Sequence, residues 1–262
     1  MSQATTHESE PTGLNRWVRE PPTGPKSEFN PTLPSLEVVY RTDPAVLAAV
    51  LPPPLEPPPE PRVHARVTEI KLQFGDYLHA ERVGYFAVDA LYDGQLGEYP
   101  LLMPIDLESA VAISREKFGE PKKLADIAFA RDGDHVSAGI TRQGVTFLEI
   151  VGDVVETLPT PEPYPAVQWW FKFAPALEGN GFDYGPILIR VDQVRTHSSV
   201  ERVEGKLVLR DLAGCPVADL PVVDIESIRW TVRTSTHEPT VVGPVDGDAF
   251  LPYSYIRYDG AR

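Results

Sequence analysis

Cysteine is almost absent: Cys215 stands alone in 262 residues. That excludes an internal disulfide framework and a cysteine-rich zinc site, and it fits a reducing interior such as the cytoplasm. Basic residues are scarce beside acidic ones, 24 against 38, for a net charge of −14. Phosphate-backbone binding needs clustered Lys and Arg, so nucleic acid is not an expected partner. The same sign disfavours anionic membrane surfaces. Long apolar runs are missing too, since "AVLAAVL", residues 45–51, is far too short to span a bilayer. The first residues, "MSQATTHESEPTG", carry neither a basic nor an apolar stretch, and no signal peptide is expected. There is no Gly-rich phosphate loop, no dinucleotide fingerprint and no Gly-x-Ser-x-Gly elbow. The histidines, at 7, 64, 79, 135, 197 and 237, lack metal-ligand spacing, and no metal site is expected. A site assembled in space from His64, His79 and carboxylates is the less favoured alternative.

Proline, by contrast, is plentiful, with 28 residues. It punctuates residues 1–34, which read as an extended arm without its own core, tacked down by Trp17 and Val18. The body, residues 35–262, reads as one domain. "SLEVVYRTD" has the β-branched and aromatic content of a strand. Asp43 is a good N-cap and Pro44 suits the first position of a helix over 43–51. "PPPLEPPPEP", residues 52–61, is an extended connector. Beyond it the pattern is mainly β. "VHARVTEIKLQF" alternates, with Val63, Ala65 and Val67 on one face and His64, Arg66 and Thr68 on the other. Asp132-Gly133 and Gln143-Gly144 supply hairpin turns in a strand–turn–strand–turn–strand run. Further short helices are expected near 105–112 and 222–227. So many strands in one chain imply a barrel or a pair of packed sheets.

One stretch invites chemistry: "REKFGEPKKL", residues 115–124. A lysine amine attacks a carbonyl only when neutral, and near its ordinary pKa of about 10.4 almost none is neutral at pH 7. Burial in apolar surroundings and a second cation nearby both depress that value. Lys122 and Lys123 are adjacent, and an apolar strand follows. If the segment is extended, Lys122 and Glu120 project to one side and Lys123 to the other. A carboxylate placed like Glu120 suits proton shuttling during imine formation. A solvated lysine pair on a turn is the plainer reading of the local sequence, and an activated amine is the other.

"SREKFGEPKKL" resembles the active-site signature of the acetoacetate decarboxylase-like superfamily, a Gly-Arg-Glu stretch leading into Pro-Lys-Lys-Leu. "VVYRTDPAVLAAVLPPPLE", residues 38–56, resembles that family's Val-Tyr-Arg-Thr-Asp segment with its helix and Pro-rich turn. Weaker matches carry the likeness over roughly residues 36–240. The resemblance implies a mainly β fold, a cone-shaped β-barrel with a few short helices, and a homo-oligomer. It also implies a lyase that joins a keto acid to a lysine as an imine and needs no metal or organic cofactor. Activating a lysine with a cationic neighbour is the established device of acetoacetate decarboxylase itself. Matched by position, Lys122 is the imine-forming lysine and Lys123 its basic neighbour. Arg115 and Glu116 match the Arg-Glu pair, and Glu98 in "GEYPLLMP" matches the catalytic glutamate. Tyr253 is a further pocket candidate.

Departures point away from simple decarboxylation. The family's Arg ahead of the first strand is missing from "NPTLPSLEVVY", Ser114 stands for Gly, and Glu120 replaces an aromatic. An added carboxylate beside the imine suits dehydration. Some members of the superfamily add pyruvate to an aldehyde and then lose water, and this aldolase-dehydratase chemistry, of a kind used in secondary metabolism, is the expectation. The expected partners are small keto acids and aldehydes. Acetoacetate decarboxylation and a non-catalytic binding barrel are the alternatives.

Overall fold

A computed structural model describes residues 31–74 and 77–259, with the side chains of 72–79 apart. The expected arm lies mostly outside the described residues, and its far end is a strand, because β1 (Leu33–Arg41) already begins at Leu33. The next strands are β2 (Arg62–Phe74), β3 (Tyr77–Tyr92), β4 (Gln95–Ile105), β5 (Lys122–Leu124) and β6 (Asp126–Asp132). They are followed by β7 (His135–Arg142), β8 (Val145–Leu158), β9 (Tyr164–Pro175), β10 (Phe182–Leu209), β11 (Asp224–Ser235) and β12 (Glu238–Pro244). The hydrogen-bonded order is β11-β1-β2-β3-β4-β9-β10-β8-β7-β6. β11 also pairs with β10, so the path of pairing returns on itself through seven strands. The link from β4 to β9 is one parallel bridge, Glu98 opposite Gln168.

Alternation explains how this sheet serves a site. One face of the strands supplies the core: Leu36, Val38 and Tyr40, Val63, Ala65 and Val67, Phe86 and Val88, Trp169 and Phe171. The residues between them are buried as well, yet polar: Ser35, Arg66, Thr68, Asp89, Glu98, Gln168, Gln193, Arg195, Thr231 and Arg233. A sheet with one apolar face and one polar buried face must satisfy those polar groups internally.

Local signals account for the connections. Asp43 caps α1 (Pro44–Val50), accepting from the backbone N–H of Ala45 and Val46. Gln143 and Gly144 take φ of 51° and 78°, the pair of left-handed conformations that a tight hairpin requires. The β6–β7 turn is shifted by one residue from expectation, its tip at Gly133–Asp134. The helix expected over 222–227 does not form. Residues from Asp224 onward are strand, pairing with β1 at Tyr40 opposite Ile225, and β-branched Val222, Val223 and Ile225 favour that state. A helix that was not expected, α3 (Gly247–Ser254), starts at Asp246, whose side chain accepts from Asp248 and Ala249 N–H. Pro252 inside it obscured the pattern.

Candidate active site

The lysine stretch sits at the end of a helical turn. α2 (Glu108–Ile113) runs into a π-helical turn, Ser114–Phe118. Gly119 ends it at φ 79°. A Cβ there would lie 2.5 Å from the Phe171 carbonyl oxygen and 2.7 Å from Lys172 Cα, so the turn can press against β9 only with glycine. Pro121 then shapes a three-residue turn: Lys122 N–H donates to the Glu120 carbonyl at 2.8 Å. The fixed φ of proline suits this turn. Lys122 pairs with Met103 on β4, and the side chains of 120 and 122 meet, with Lys122 Nζ 3.2 Å from Glu120 Oε2. Both are largely shielded from solvent, at 11% and 12% side-chain exposure. The expected side-by-side placement is realised, through a turn rather than an extended run.

Lys122 and Glu120 open into a cavity of about 140 Å³. Its other walls include Arg66, Tyr85, Met103, Gln168, Trp170, Gln193 and Arg233. Gln168 accepts from Trp170 Nε1 at 3.2 Å, and Gln193 accepts from Arg195 Nε at 3.0 Å, which fixes both amides. Behind this wall lies a buried ionic network. Arg195 Nη1 donates to Glu98 Oε1 at 2.6 Å. Arg66 Nη1 donates to Glu37 at 3.3 Å, and its guanidinium lies 4.4 Å from the Tyr85 ring centroid. His64 Nε2 meets Asp89 at 2.9 Å, with Glu37 3.9 Å from Nδ1.

These contacts set the protonation states. Burial opposes charge on Glu98, but Arg195, His64 and Arg66 outweigh it and hold the carboxyl well below its usual range. Burial likewise opposes charge on Glu37, and Arg66, His64 and Arg233 hold it low. Burial and the Glu98 charge push the Tyr85 phenol well up, so it stays protonated. His64 is desolvated, yet the Asp89 and Glu37 carboxylates raise it to about 10. Its folded value therefore exceeds the ordinary value of about 6.5. The stability this gives is fully present below pH of about 6.5 and is lost as pH rises towards 10. Thermal melts across that window should show the loss, and His64→Gln should flatten it.

Other expected site residues lie elsewhere. Glu98 is not among the residues that line the Lys122 cavity, and its carboxylate is held by Arg195. Lys123 points to the opposite side, donating to the Gly214 carbonyl at 2.6 Å and Asp259 at 2.9 Å. Arg142 grips the same carboxylate. Lys123 thus ties the chain end to the loop holding buried Cys215, and does not stand beside Lys122 as a second cation. The cations in the cavity wall are Arg66 and Arg233. Arg115 and Glu116 line a separate open groove, with Arg115 over the Tyr258 ring. Tyr253 lines an apolar groove with Tyr99 and Leu102. For the alternative metal site, no cluster of three His, Cys, Asp or Glu able to hold a metal ion occurs among the described residues. The His79 side chain lies outside them.

Sequence reasoning missed Arg66, Tyr85, Gln168, Trp170, Gln193 and Arg233. The signal was present, because each occupies the alternate face of a strand whose other face is core. Arg and Gln at such positions mark an enclosed polar face.

The family model for acetoacetate decarboxylase matches residues 15–244. The chain belongs to the acetoacetate decarboxylase family. The acetoacetate decarboxylase of Burkholderia vietnamiensis is 31% identical over 212 residues, covering 76% of this chain and 81% of the relative. A solved acetoacetate decarboxylase superposes with a TM-score of 0.71 at 23% identity, covering 85% of this chain and 91% of its own. The enduracididine biosynthesis enzyme MppR, solved with the condensation product of pyruvate and imidazole 4-carboxaldehyde, superposes at 0.69 and 16% identity over 92% and 98% of the two chains. As a member of the acetoacetate decarboxylase family the chain is a Schiff-base lyase, of decarboxylase or aldolase-dehydratase type. Among its described residues no helix is long and apolar enough to cross a membrane.

Proposed function

We propose that the protein condenses pyruvate, or a close 2-keto acid, with an aldehyde and then eliminates water. The observation that carries this reading is the Glu120 carboxylate, 3.2 Å from Lys122 Nζ inside the cavity. Lys122 forms the imine and releases water. The protonated imine is an electron sink, so a methyl C–H proton passes to Glu120 and leaves an enamine. The enamine carbon attacks the aldehyde carbon, and Glu120 returns its proton to the new alkoxide. Glu120 then takes a second proton from the same carbon and delivers it to the departing hydroxyl, which leaves as water. Tyr85, a protonated phenol in the wall, donates a hydrogen bond to that oxygen. Hydrolysis frees an unsaturated keto acid and restores the amine. The MppR complex supports the reading by analogy of fold. The reading also takes the protein to be a cytoplasmic homo-oligomer, whose mass light scattering would measure.

A second reading, decarboxylation of acetoacetate, is favoured by the 31% identity to a named acetoacetate decarboxylase. Two assays separate them: the ultraviolet absorbance of a conjugated keto acid from pyruvate and an aldehyde, and carbon dioxide release from acetoacetate. Glu120→Gln keeps the size of the side chain and removes the base. It should still form the imine but lose about 10²–10⁴-fold in condensation rate. Equal condensation by Glu120→Gln and wild type would remove Glu120 from the mechanism.

A further inference from the structure

The geometry points to Arg233 as the residue that receives the substrate carboxylate, and so as the determinant that makes the enzyme prefer keto acids over neutral carbonyl compounds. The assignment rests on Lys122 being the imine-forming lysine. Arg233 lies on β11 and lines the Lys122 cavity. It is 6% exposed. Its Nε has no hydrogen-bond partner among the described residues. Its nearest counter-charge, Glu37, is 3.6 Å from Nη1, beyond hydrogen-bond reach.

The neighbouring arginines differ. Arg195 is committed to Glu98 and Gln193; its Nη2 is also without a partner among the described residues, but Arg195 does not line the Lys122 cavity. Arg66 is committed to Glu37 and stacks on Tyr85. Arg233 is the under-compensated cation of the three. Burial and the charge of Arg66 pull its pKa down to about 10, with Glu37 offsetting only part. Even so it stays a cation at neutral pH. The surrounding charges give the same answer: Glu37, Asp89 and Glu98 face Arg66, Arg195, Arg233 and protonated His64, an excess of one positive charge. Lys122 and Glu120 pair with each other. A buried guanidinium with a free donor and one unbalanced charge is matched by one carboxylate, held by charge-assisted hydrogen bonds.

Arg233 also borders a second cavity of about 370 Å³, lined by Tyr164, His197 and Leu158. A carboxylate on Arg233 would therefore sit at the boundary between the two cavities, with its carbonyl directed to Lys122.

Reductive trapping with borohydride at graded concentrations of pyruvate and of acetone tests this. Acetone is pyruvate with a methyl group in place of the carboxylate. Wild-type enzyme should half-saturate at far lower pyruvate than acetone. In Arg233→Met the pyruvate value should rise about 10- to 100-fold while the acetone value stays put. Arg233→Lys should fall between. Unchanged pyruvate trapping in Arg233→Met overturns the assignment. So does equal loss of pyruvate and acetone trapping, which would mean that Arg233 acts on Lys122 or on the fold. Wild-type enzyme that traps neither compound would instead overturn the Schiff-base role of Lys122, and the assignment with it.

Discussion

Lys122→Ala is expected to abolish turnover, with a loss on the order of 10⁴-fold or more. The reason is electronic. Conversion of the carbonyl to a cationic imine makes the adjacent carbanion accessible at neutral pH, and that conversion requires an amine at the bond-making position. Among the described residues lining the cavity, Lys122 is the only primary amine. Lys123, one residue along, cannot substitute. It is buried on the other face of β5, with Nζ held by Gly214 and Asp259. Lys123→Met should therefore leave turnover within a few-fold of wild type and lower thermal stability instead. It removes one of the two cations on Asp259 and leaves Arg142 as the other. Rates and melting curves on the two variants check both halves. Equal loss of turnover in the two would mean that adjacency in sequence matters more than the opposite orientations of the side chains.

Arg195→Met should be the most destabilising change in the polar network, by about 3–5 kcal/mol. Removing the guanidinium leaves Glu98 in the protein interior without its 2.6 Å partner and Gln193 without its donor. Arg66, 3.9 Å from Glu98, is too far to replace that hydrogen bond. For a chain of this length the melting temperature should fall by roughly 6–20 °C. Pairing the change with Glu98→Gln removes both charges and should recover part of the loss. A catalytic Glu98 would behave otherwise: Glu98→Gln would lower the rate and leave the melting temperature close to wild type. Glu98 also sits at the single bridge between β4 and β9, so damage there should loosen the wall that holds Gln168 and Trp170.

Much of this architecture was legible in the sequence because it depends on local rules. Asp43-Pro44 announces a helix, Gln143-Gly144 announces a hairpin, and alternation in "VHARVT" sorts Val63, Ala65 and Val67 from His64, Arg66 and Thr68. The meeting of the Lys122 and Glu120 side chains was legible for the same reason, the two being two residues apart around a proline. What was not legible depends on distance. Arg233 and Lys122 are 111 positions apart in sequence and line one cavity because β11 and β5 are brought to the same polar face. Lys123 misled because two adjacent lysines suggest one function, whereas residues next to each other on a strand point in opposite directions. The pairing of Glu98 with Arg195, 97 residues along the chain, was hidden by the same dependence on distance. The 222–227 error was of a third kind: a short segment with mixed signals takes the state of its neighbour, here the edge of β1.

The central claim is that Lys122, paired with Glu120 inside the polar cavity, is the imine-forming amine. The most direct measurement is to reduce the wild-type protein with borohydride in the presence of pyruvate, and to locate the adduct by peptide mass spectrometry with fragment-ion sequencing through "EPKKL". A single adduct on Lys122, with Lys123 unmodified, is the predicted result. An adduct on Lys123 or on any other lysine, or no adduct with either pyruvate or acetoacetate, would contradict it.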